Sequence, residues 1–215
     1  MRKENVKVII WGLGSMGKGM TEVLLKKKGV EIVGVVGRGE KVGKSMYDYL
    51  DVERGDRKDI IIGEYQDVIT EKAADVVLVA TDSFTRKTFD KLKYILEKKI
   101  NVISTAEEMA YPYAQEPELA KEIDKIAKEN GVSVLGTGIN PGLIMDLLVI
   151  LLTGACIEVD SIKAERINSL SPFGPSVMRE QGVGISLEEF NKRLEEKTLV
   201  GHVGFPESIN MIADA

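Results

Sequence analysis

Apolar residues along the first two thirds of the chain follow two alternating patterns. Short runs that are almost wholly apolar, such as VKVII and DVVLVA, are typical of strands buried on both faces of a parallel sheet. Between them, apolar residues recur every three or four positions, as on one face of a helix. The runs predict strands at residues 6–10, 31–36, 60–62, 75–80, 101–104 and 132–135. This alternation predicts an α/β fold with a doubly wound parallel sheet over residues 1–145.

Three helices are predicted to cross over between these strands. They begin near Met16, Phe84 and Pro117, and the last has Asn130-Gly131 as a stop signal. The apolar spacing predicts that the core-facing residues are Met16, Met20, Val23 and Leu24 in the first helix, Phe89, Leu92, Ile95 and Leu96 in the second, and Leu119, Ile123, Ile126 and Ala127 in the third.

Residues 146–215 follow a different pattern and are predicted to form part of a second α/β domain. Next to the boundary, an apolar helix is predicted over residues 141–152, with Asn140 as its cap. Residues 158–168 alternate apolar and polar side chains, which predicts a strand with one solvated face. An amphipathic helix is predicted over residues 186–196, and the last residues begin another. About 70 residues rarely complete a domain of this kind, so we expect the second domain to be incomplete.

The composition is that of a globular protein with a sizeable core, because 44% of the 215 residues are hydrophobic and 29% are charged. A net charge of -5 argues against a nucleic-acid partner. The longest apolar run, residues 143–152, is too short to span a membrane, and the N-terminus has no secretory pattern, so we expect a cytoplasmic protein. Because Cys156 and His202 are the only cysteine and histidine, no metal site is predicted, and Cys156 is expected to be buried among apolar residues.

The sequence GLGSMG separates the first strand from the first helix. A glycine at position 12 permits a tight turn, one at 14 lets the backbone approach a pyrophosphate, and one at 17 lets helix and strand pack closely. The N-terminus of the helix adds free N–H groups and a partial positive charge. A tight turn without a ligand is the alternative, but the strand–turn–helix context favours a dinucleotide in a Rossmann domain. The predicted cofactor contacts here are Gly12, Leu13, Gly14, Ser15, Met16 and Gly17.

The end of the second strand bears on the choice between NAD and NADP. An acidic residue there would bind the ribose hydroxyls and repel a 2′-phosphate, but this chain has Gly37 and Arg38 instead. Arg38 is suited to pair with a 2′-phosphate, with Lys41 or Lys44 assisting, unless it is only a solvated loop residue. Since Glu40 remains available to the ribose, the sequence favours NADP or dual use over strict use of NAD.

Ligands of such sheets bind beyond the carboxyl ends of the strands, where three loops of this chain are expected. Residues 80–86 follow the fourth strand, residues 104–112 the fifth and residues 136–142 the sixth. We expect the first loop to pass the ribose and the third to approach the nicotinamide with its backbone. The predicted contacts of these loops are Thr81, Asp82, Gly138 and Asn140 for the cofactor, and Tyr111 and Pro141 for the substrate.

Two adjacent carboxylates, Glu107 and Glu108, lie in the second of these loops. Removing a hydride from an amine gives an iminium that water must attack, and a partly buried glutamate with a raised pKa suits the activation of that water. The pair is therefore predicted to bind an ammonium group and to act as a general base. In the alternative reading, one glutamate caps the following segment and the other is solvated.

Three polar residues of the second region are further candidates for the site. His202 is the only imidazole and stands among glycines, where it is either a catalytic group or a surface residue. Arg166 and Asn168, at the end of the predicted 158–168 strand, are suited to bind a substrate carboxylate, since a guanidinium offers two parallel donors. A solvent-facing position of Arg166 is the alternative.

Several segments together resemble the 2,4-diaminopentanoate dehydrogenases and the amine dehydrogenases similar to them. The segments are GLGSMGKGM, VISTAEEMAYP, GTGINPGLIMD, VDSIKAERIN and GHVGFPES, so the resemblance runs over the whole chain. It implies NAD(P)-dependent oxidative deamination of 2,4-diaminopentanoate to 2-amino-4-oxopentanoate with release of ammonia, in ornithine breakdown. It also implies a fold like dihydrodipicolinate reductase, in which a Rossmann domain precedes an α/β domain for substrate binding and for assembly of a homodimer or larger homo-oligomer.

The resemblance also assigns roles to particular residues. It implies that Glu107 and Glu108 are the catalytic candidates, that Asn140 and Pro141 line the nicotinamide end, and that His202 lies on the substrate side. Members of the family are considerably longer than this chain and continue past its last residue. Residues that follow are therefore expected to close the substrate pocket.

Other functions remain open on the sequence alone. Dihydrodipicolinate reductase shares the implied architecture, but its paired histidines and lysine have no counterpart beside the single His202. meso-Diaminopimelate dehydrogenase shares the deamination chemistry, and homoserine dehydrogenase shares the early loops. A non-catalytic dinucleotide-binding fragment is the last alternative. Formation of NAD(P)H from a diamine would distinguish an enzyme from such a fragment.

Overall fold

A computed structural model describes residues 4–171, 178–179, 181–196, 198–199 and 202–215. Its centre is a parallel sheet with the strand order β3-β2-β1-β4-β5-β6, so the predicted α/β fold and its doubly wound sheet are confirmed. The order reverses between β1 and β4, where such sheets leave a crevice at the carboxyl ends of their strands. The strands are β1 Val6–Trp11, β2 Val30–Val36, β3 Ile62–Gly63, β4 Val76–Val79, β5 Asn101–Ser104 and β6 Val134–Gly136.

Helices lie on the faces of this sheet and continue after it. Within the described residues they are α1 Ser15–Leu24, α2 Tyr65–Val68, α3 Thr85–Glu97, α4 Pro117–Asn130, α5 Leu147–Thr153, α6 Leu187–Glu195 and α7 Phe205–Ala213. The short 3-10 helices are Gly39–Lys41, Met46–Tyr49, Glu107–Ala110 and Pro112–Ala114. A search of the described residues found no helix with the length and apolar character needed to cross a bilayer.

Both faces of the sheet are buried, as its nearly continuous apolar strands predict. In β1, Val8 and Ile10 belong to one apolar cluster, whereas Ile9 and Trp11 belong to another on the opposite face. This alternation arises because successive side chains of a strand point to opposite faces. The predicted inner face of α3 is confirmed, since Leu92, Ile95 and Leu96 are fully buried there. The predicted face of α4 is confirmed at Ile123, Ile126 and Ala127, and Leu119 is half-buried.

The predicted inner face of α1 is wrong at Met16 and Val23, whereas Leu24 does pack against an apolar cluster of the sheet. Met16 and Val23 have 66% and 55% of their surface exposed, and the buried residues of the helix are Gly17 and Thr21. A Cβ on Gly17 would lie only 1.8 Å from the carbonyl oxygen of Gly12, so the helix approaches the preceding turn too closely for a larger side chain. Small residues therefore form the most buried part of the inner face, and small residues carry no apolar periodicity.

The predicted helix over residues 141–152 begins later than the sequence indicates. Helix α5 starts at Leu147, and the side chain of Asp146 caps it by accepting a hydrogen bond from the Leu147 N–H. Asn140 is therefore not its cap. Gly142 has a φ of +118°, which is incompatible with a right-handed helix, and its N–H donates to the same Asp146 carboxylate at 2.7 Å. The segment before α5 is thus a turn organised by one buried acid.

The strand predicted over residues 158–168 is absent in the described part of the chain. Ile157, Val159 and Ile167 are exposed, and Cys156, which was expected to be buried, is exposed as well. A strand needs a neighbour for its backbone hydrogen bonds, and no described segment lies alongside this one. By contrast, helix α6 is confirmed, with Ser186 accepting a hydrogen bond from the Glu189 N–H as its cap.

Candidate active site

In the glycine turn between β1 and α1, two glycines are required by packing and a third leaves space for a ligand. A Cβ on Gly12, whose φ is +103°, would lie 2.7 Å from the Ala80 carbonyl oxygen, so that glycine, like Gly17, is required by packing. Gly14 differs, because its backbone angles are ordinary and no heavy atom lies within 4 Å of where a Cβ would stand. Its missing side chain leaves open space at the N-terminus of α1. That space fits a pyrophosphate bound by the N–H groups of the first helical turn.

The residues around this turn differ in exposure, and one of them brings a positive charge to it. The Leu13 side chain is buried in the core, whereas Ser15 and Met16 are exposed at the start of α1. The Lys41 ammonium donates a hydrogen bond of 2.7 Å to the Leu13 carbonyl oxygen, which places a positive charge beside the glycine turn. Arg38 is exposed at the end of β2. Of the three cations considered from the sequence, Arg38, Lys41 and Lys44, Lys41 is the one with a side-chain hydrogen bond to the turn among the described residues.

The loop after β4 packs directly against the glycine turn. The Thr81 methyl group would lie 2.8 Å from a Cβ on Gly12. The Lys91 ammonium of α3 donates to the Thr81 hydroxyl at 2.9 Å and pairs with the Asp82 carboxylate. Burial disfavours the ionised form of Asp82, but the hydrogen bonds from Lys91 and Thr81 and the charge of Lys91 outweigh it and hold the pKa of Asp82 below its usual value. Asp82 is thus an ionised group held by Lys91, which sequence reasoning did not single out.

Glu108 is the buried member of the carboxylate pair. Its side chain is 8% exposed, and its Oε2 accepts a hydrogen bond of 2.7 Å from the Thr85 N–H at the start of α3. Burial raises the pKa of Glu108; the Thr85 N–H opposes this, and the charges of Glu207 and Glu116 add to it. Glu108 therefore has the raised pKa of one sequence reading, but the helix that it caps is the preceding α3 and not the following segment that the other reading expected.

Glu107 differs from its neighbour. It is half-buried, and no hydrogen bond or ion pair to its side chain is present among the described residues. Its carboxylate is therefore accessible to a ligand, whereas one oxygen of Glu108 is already bonded to α3. The two adjacent acids have unequal environments, and unequal environments are how neighbouring carboxylates acquire different roles.

A third carboxylate lies close to this pair. Glu207, in α7, is fully buried, and its Oε1 accepts a hydrogen bond of 2.7 Å from the Gln115 side-chain amide. The same amide nitrogen lies 3.5 Å from Oε1 of Glu108. Sequence reasoning missed both Gln115 and Glu207, although an acid just after the Phe205-Pro206 start of an apolar helix was a visible signal.

The loop after β6 meets the start of α7. A Cβ on Gly204, whose φ is +107°, would lie 2.4 Å from the ring of Pro141, so the two segments touch at backbone distance. Nε2 of His202 lies 3.4 Å from the Asn140 side-chain nitrogen, and its Nδ1 lies 2.6 Å from the Val203 carbonyl oxygen. The imidazole is thus held between the Val203 carbonyl and the Asn140 amide. Asn140, Pro141 and His202 therefore lie close together in the structure.

Buried polar groups hold this junction in place. Asp146 accepts hydrogen bonds from the Gly142 N–H and from the Ser208 hydroxyl, at 2.7 and 2.9 Å, and so joins the loop to α7. Gly138 packs against the same loop, with a Cβ position 2.9 Å from the Pro141 carbonyl oxygen. Oδ1 of Asn140 is buried without a hydrogen-bond partner in the described part of the chain. An orphaned acceptor beside a histidine fits a surface that binds a polar ligand.

Of the remaining substrate candidates, Tyr111 is hydrogen-bonded to the end of α7, whereas Arg166 and Asn168 are exposed. The Tyr111 hydroxyl donates to the Asp214 carboxylate at the end of α7, and this hydrogen bond raises the pKa of Tyr111. Arg166 and Asn168 are exposed, and the Asn168 amide bonds to the neighbouring Ser169 carbonyl. Within the described residues no hydrogen bond or ion pair joins either of them to the rest of the site. They lie apart because the strand that was expected to present them does not form.

Comparisons with known proteins agree with the resemblance seen in the sequence, which is confirmed. A curated 2,4-diaminopentanoate dehydrogenase from Acetoanaerobium sticklandii is 75% identical over 212 residues, which cover 99% of this chain and 60% of the relative. This chain thus spans about three fifths of the length of that relative. The profile of the 2,4-diaminopentanoate dehydrogenase C-terminal domain matches residues 143–215.

Many solved structures are similar to this chain. An amine dehydrogenase from Mycobacterium smegmatis superposes with a TM-score of 0.75 at 26% identity, over 99% of this chain and 62% of the other. A mutant meso-dapdh with DAP from Clostridium tetani E88 gives a TM-score of 0.52 at 18% identity, over 70% of this chain and 42% of the other, which is a likeness of fold alone. A further profile covers residues 6–137, more than half of the sequence. The chain therefore belongs to the oxidoreductase family with an NAD-binding Rossmann fold.

Proposed function

We propose that the whole protein is an NAD(P)-dependent dehydrogenase that deaminates 2,4-diaminopentanoate to 2-amino-4-oxopentanoate and ammonia. The identity to the curated relative supports the substrate. The observation that carries the chemistry is Glu108, a buried carboxylate with a raised pKa in the loop after β5, at the carboxyl edge of the sheet. Perturbed acids in such crevices are candidates for proton transfer.

The reaction needs a group that accepts protons twice. A bound dinucleotide supplies the acceptor for the hydride that leaves the amine-bearing carbon. The amino nitrogen must first lose its extra proton, because a hydride does not leave from a carbon that bears an ammonium group. Water then adds to the iminium carbon and loses a proton to give a carbinolamine. Its hydroxyl proton moves to the nitrogen as the C–N bond breaks, so that the carbonyl forms and ammonia leaves. Glu108 is the base that we propose for these protons, since its raised pKa brings it closer to the pH at which it must act.

The other residues of the site have supporting roles in this proposal. Glu107, whose carboxylate is accessible, attracts a substrate ammonium group. His202 and Asn140, which contact one another, line the substrate side of the nicotinamide end. Tyr111 and Pro141 lie next to the same loops and complete the pocket wall. Arg166 and Asn168 remain candidates for the substrate carboxylate.

Cofactor preference is a second part of the proposal. Lys41 beside the glycine turn and the exposed Arg38 at the end of β2 supply positive charge where a 2′-phosphate would lie. We therefore propose use of NADP, with NAD as an alternative cofactor. The glycine-turn residues Gly12 to Gly17 and the Thr81–Asp82 loop hold the rest of the dinucleotide.

The setting of the enzyme is also proposed rather than observed. From the sequence pattern and the family resemblance, we propose a cytoplasmic homodimer or larger homo-oligomer that acts in ornithine breakdown. We divide it into a cofactor domain over residues 1–145 and a substrate and dimerisation domain from residue 146. Size-exclusion chromatography with light scattering of the full-length protein tests the assembly.

The deciding experiment measures reduction of NAD and NADP by 2,4-diaminopentanoate with the full-length protein and with Glu108→Gln and Glu107→Gln variants. Loss of a general base costs about 10²- to 10⁴-fold in rate, so Glu108→Gln should lower kcat by that amount. Glu107→Gln should act mainly on KM, because it removes an attracting charge. Binding of the cofactor without turnover of any amine would overturn the proposal in favour of a dinucleotide-binding protein.

A further inference from the structure

Glu207 is a fully buried carboxylate that has no role in the proposed chemistry. A fully buried carboxylate is costly unless it is paired or hydrogen-bonded. Only its Oε1 has a partner, the Gln115 amide, and its Oε2 is buried without a hydrogen-bond partner in the described part of the chain. A buried acid that is only half satisfied suggests a role beyond holding α7 in place.

The Gln115 amide connects this acid to Glu108. Its nitrogen lies 2.7 Å from Oε1 of Glu207 but 3.5 Å from Oε1 of Glu108, so Glu207 has the stronger bond. On its other side Glu108 is fixed, because Oε2 accepts from the Thr85 N–H at 2.7 Å. Glu108 thus has one firmly bonded oxygen and one that is held only loosely. The loose oxygen is free to accept a proton from a substrate.

We infer that Glu207 is a positioning residue for Glu108: it binds the Gln115 amide, keeps Oε1 of Glu108 open, and places a second negative charge beside it. This inference rests on the proposed function, in which Glu108 is the base. It assigns to α7, in the C-terminal region of the chain, control over a catalytic group of the sheet region.

Other charges near Glu108 do not replace Glu207 in this role. Glu116, just before α4, also faces Glu108, but its carboxylate is paired with the Arg86 guanidinium of α3 through two hydrogen bonds, at 3.0 and 2.7 Å. The Thr85 N–H at the start of α3 and the Gln115 amide are dipoles without net charge. Burial is the largest cause of the raised pKa of Glu108, and the charge of Glu207 is the next cause that acts in the same direction.

The pH dependence of activity gives a readout that a merely structural role would not move. A base works when it is ionised, so activity falls as the pH drops through the pKa of Glu108. Removing the charge of Glu207 should lower that pKa and move the acidic limb to lower pH. Removing the Gln115 amide, which favours the ionised form of Glu108, should move the limb to higher pH. The two substitutions therefore predict shifts of opposite sign.

The test is the pH profile of kcat/KM for NAD(P) reduction by 2,4-diaminopentanoate, measured on the full-length protein. We expect the acidic limb to move down by about one pH unit in Glu207→Gln and up by about 0.3 unit in Gln115→Met. Glu122→Gln, which removes the same charge from an exposed position on α4, is the matched control and should leave the profile unchanged. If Glu207→Gln does not fold, the direction of the Gln115→Met shift decides.

Failure of this inference can be told apart from failure of the proposed function. If Glu108→Gln lacks turnover while Glu207→Gln and Gln115→Met keep the wild-type limb, the positioning role of Glu207 is wrong and the base stands. If Glu108→Gln retains turnover, the proposed base itself is wrong. A fall in activity at all pH values with an unmoved limb in both variants would also overturn the positioning role.

Discussion

The sheet region, residues 4–136, and the described residues of the C-terminal region, from residue 140 onward, are stabilised by different contacts. In the sheet region, α3 buries Leu92, Ile95 and Leu96 completely against the sheet. In the C-terminal region, α5 is as apolar as any strand, yet Leu151 has 65% of its surface exposed. An apolar face stabilises a fold only when another surface covers it.

In the C-terminal region, polar side chains hold a helix in place, as apolar side chains do in the sheet region. Helix α7 buries Glu207 and Ser208 while Phe205 and Ile209 remain exposed. Its position is fixed by the hydrogen bonds of Asp146 and Gln115. Hydrogen bonds are directional, so they locate α7 beside the site more narrowly than apolar contact would. The geometry of the site therefore depends on a few polar side chains, of which Asp146, Glu207 and Ser208 are buried.

A pair of leucine substitutions tests this comparison most strongly. Leu92→Ala should lower the free energy of unfolding by about 2–5 kcal/mol, because it leaves a cavity in the core. Leu151→Ala, the matched change on α5, should cost less than about 0.5 kcal/mol. Urea unfolding of both variants of the full-length protein measures the difference. An equal loss of unfolding free energy in the two variants would contradict the difference between the two regions and would show that another surface covers α5.

Replacement of Asp146 tests the polar anchoring. Asp146→Ala removes the acceptor for the Gly142 and Leu147 N–H groups and for the Ser208 hydroxyl. We expect a loss of about 2 kcal/mol in the free energy of unfolding, since these donors would be left without a partner. Hydrogen exchange at α7 should rise more than at α3. Equal changes in both helices would contradict a local role.

Two glycines with open space around their Cβ positions, Gly14 at the cap of α1 and Gly19 within the helix, allow a test of the phosphate site. Gly14→Ala should weaken binding of the dinucleotide by about tenfold or more, since the new methyl enters the open space at the helix N-terminus. Its effect on unfolding should stay within about 1 kcal/mol. Gly19→Ala, also in open space but one turn further along α1, is the control. Calorimetric titration with NAD and NADP should show normal affinity in Gly19→Ala.

The smallest expected effect concerns the Asp82–Lys91 pair. The pKa of Asp82 is lowered in the folded protein, so the pair contributes stability above the ordinary pKa of an aspartate, and this contribution is lost as the pH falls through the folded pKa. The pair is partly solvated, so we expect less than about 1 kcal/mol. Thermal unfolding of wild type and Asp82→Asn between pH 3 and 7 should show a difference that is constant above about pH 4 and shrinks as the pH falls below that value. A difference that stays constant down to pH 3 would contradict this account.

Much of the sheet region could be predicted from the sequence. Strand β5 lies at the predicted residues, and α4 begins at Pro117 and ends before Gly131, because local signals for these elements were strong. The most buried part of the inner face of α1 could not be predicted, since it is formed by Gly17 and Thr21 through a backbone approach that leaves no apolar period. The strand over residues 158–168 was predicted from alternation alone. Alternation does not indicate whether a neighbouring strand is present to form the backbone hydrogen bonds.

Local sequence patterns are sufficient to establish the order of the elements, the glycine turn at the head of α1 and the presence of Glu107 and Glu108 beyond β5. The folded structure is needed to show that these adjacent acids are unequal, because burial and the Thr85 N–H act on Glu108. It is likewise needed to show that Glu207, 99 residues further along the chain, lies beside Glu108 through the Gln115 amide. Local patterns encode backbone geometry, whereas the environment of a carboxylate depends on residues brought close only by folding.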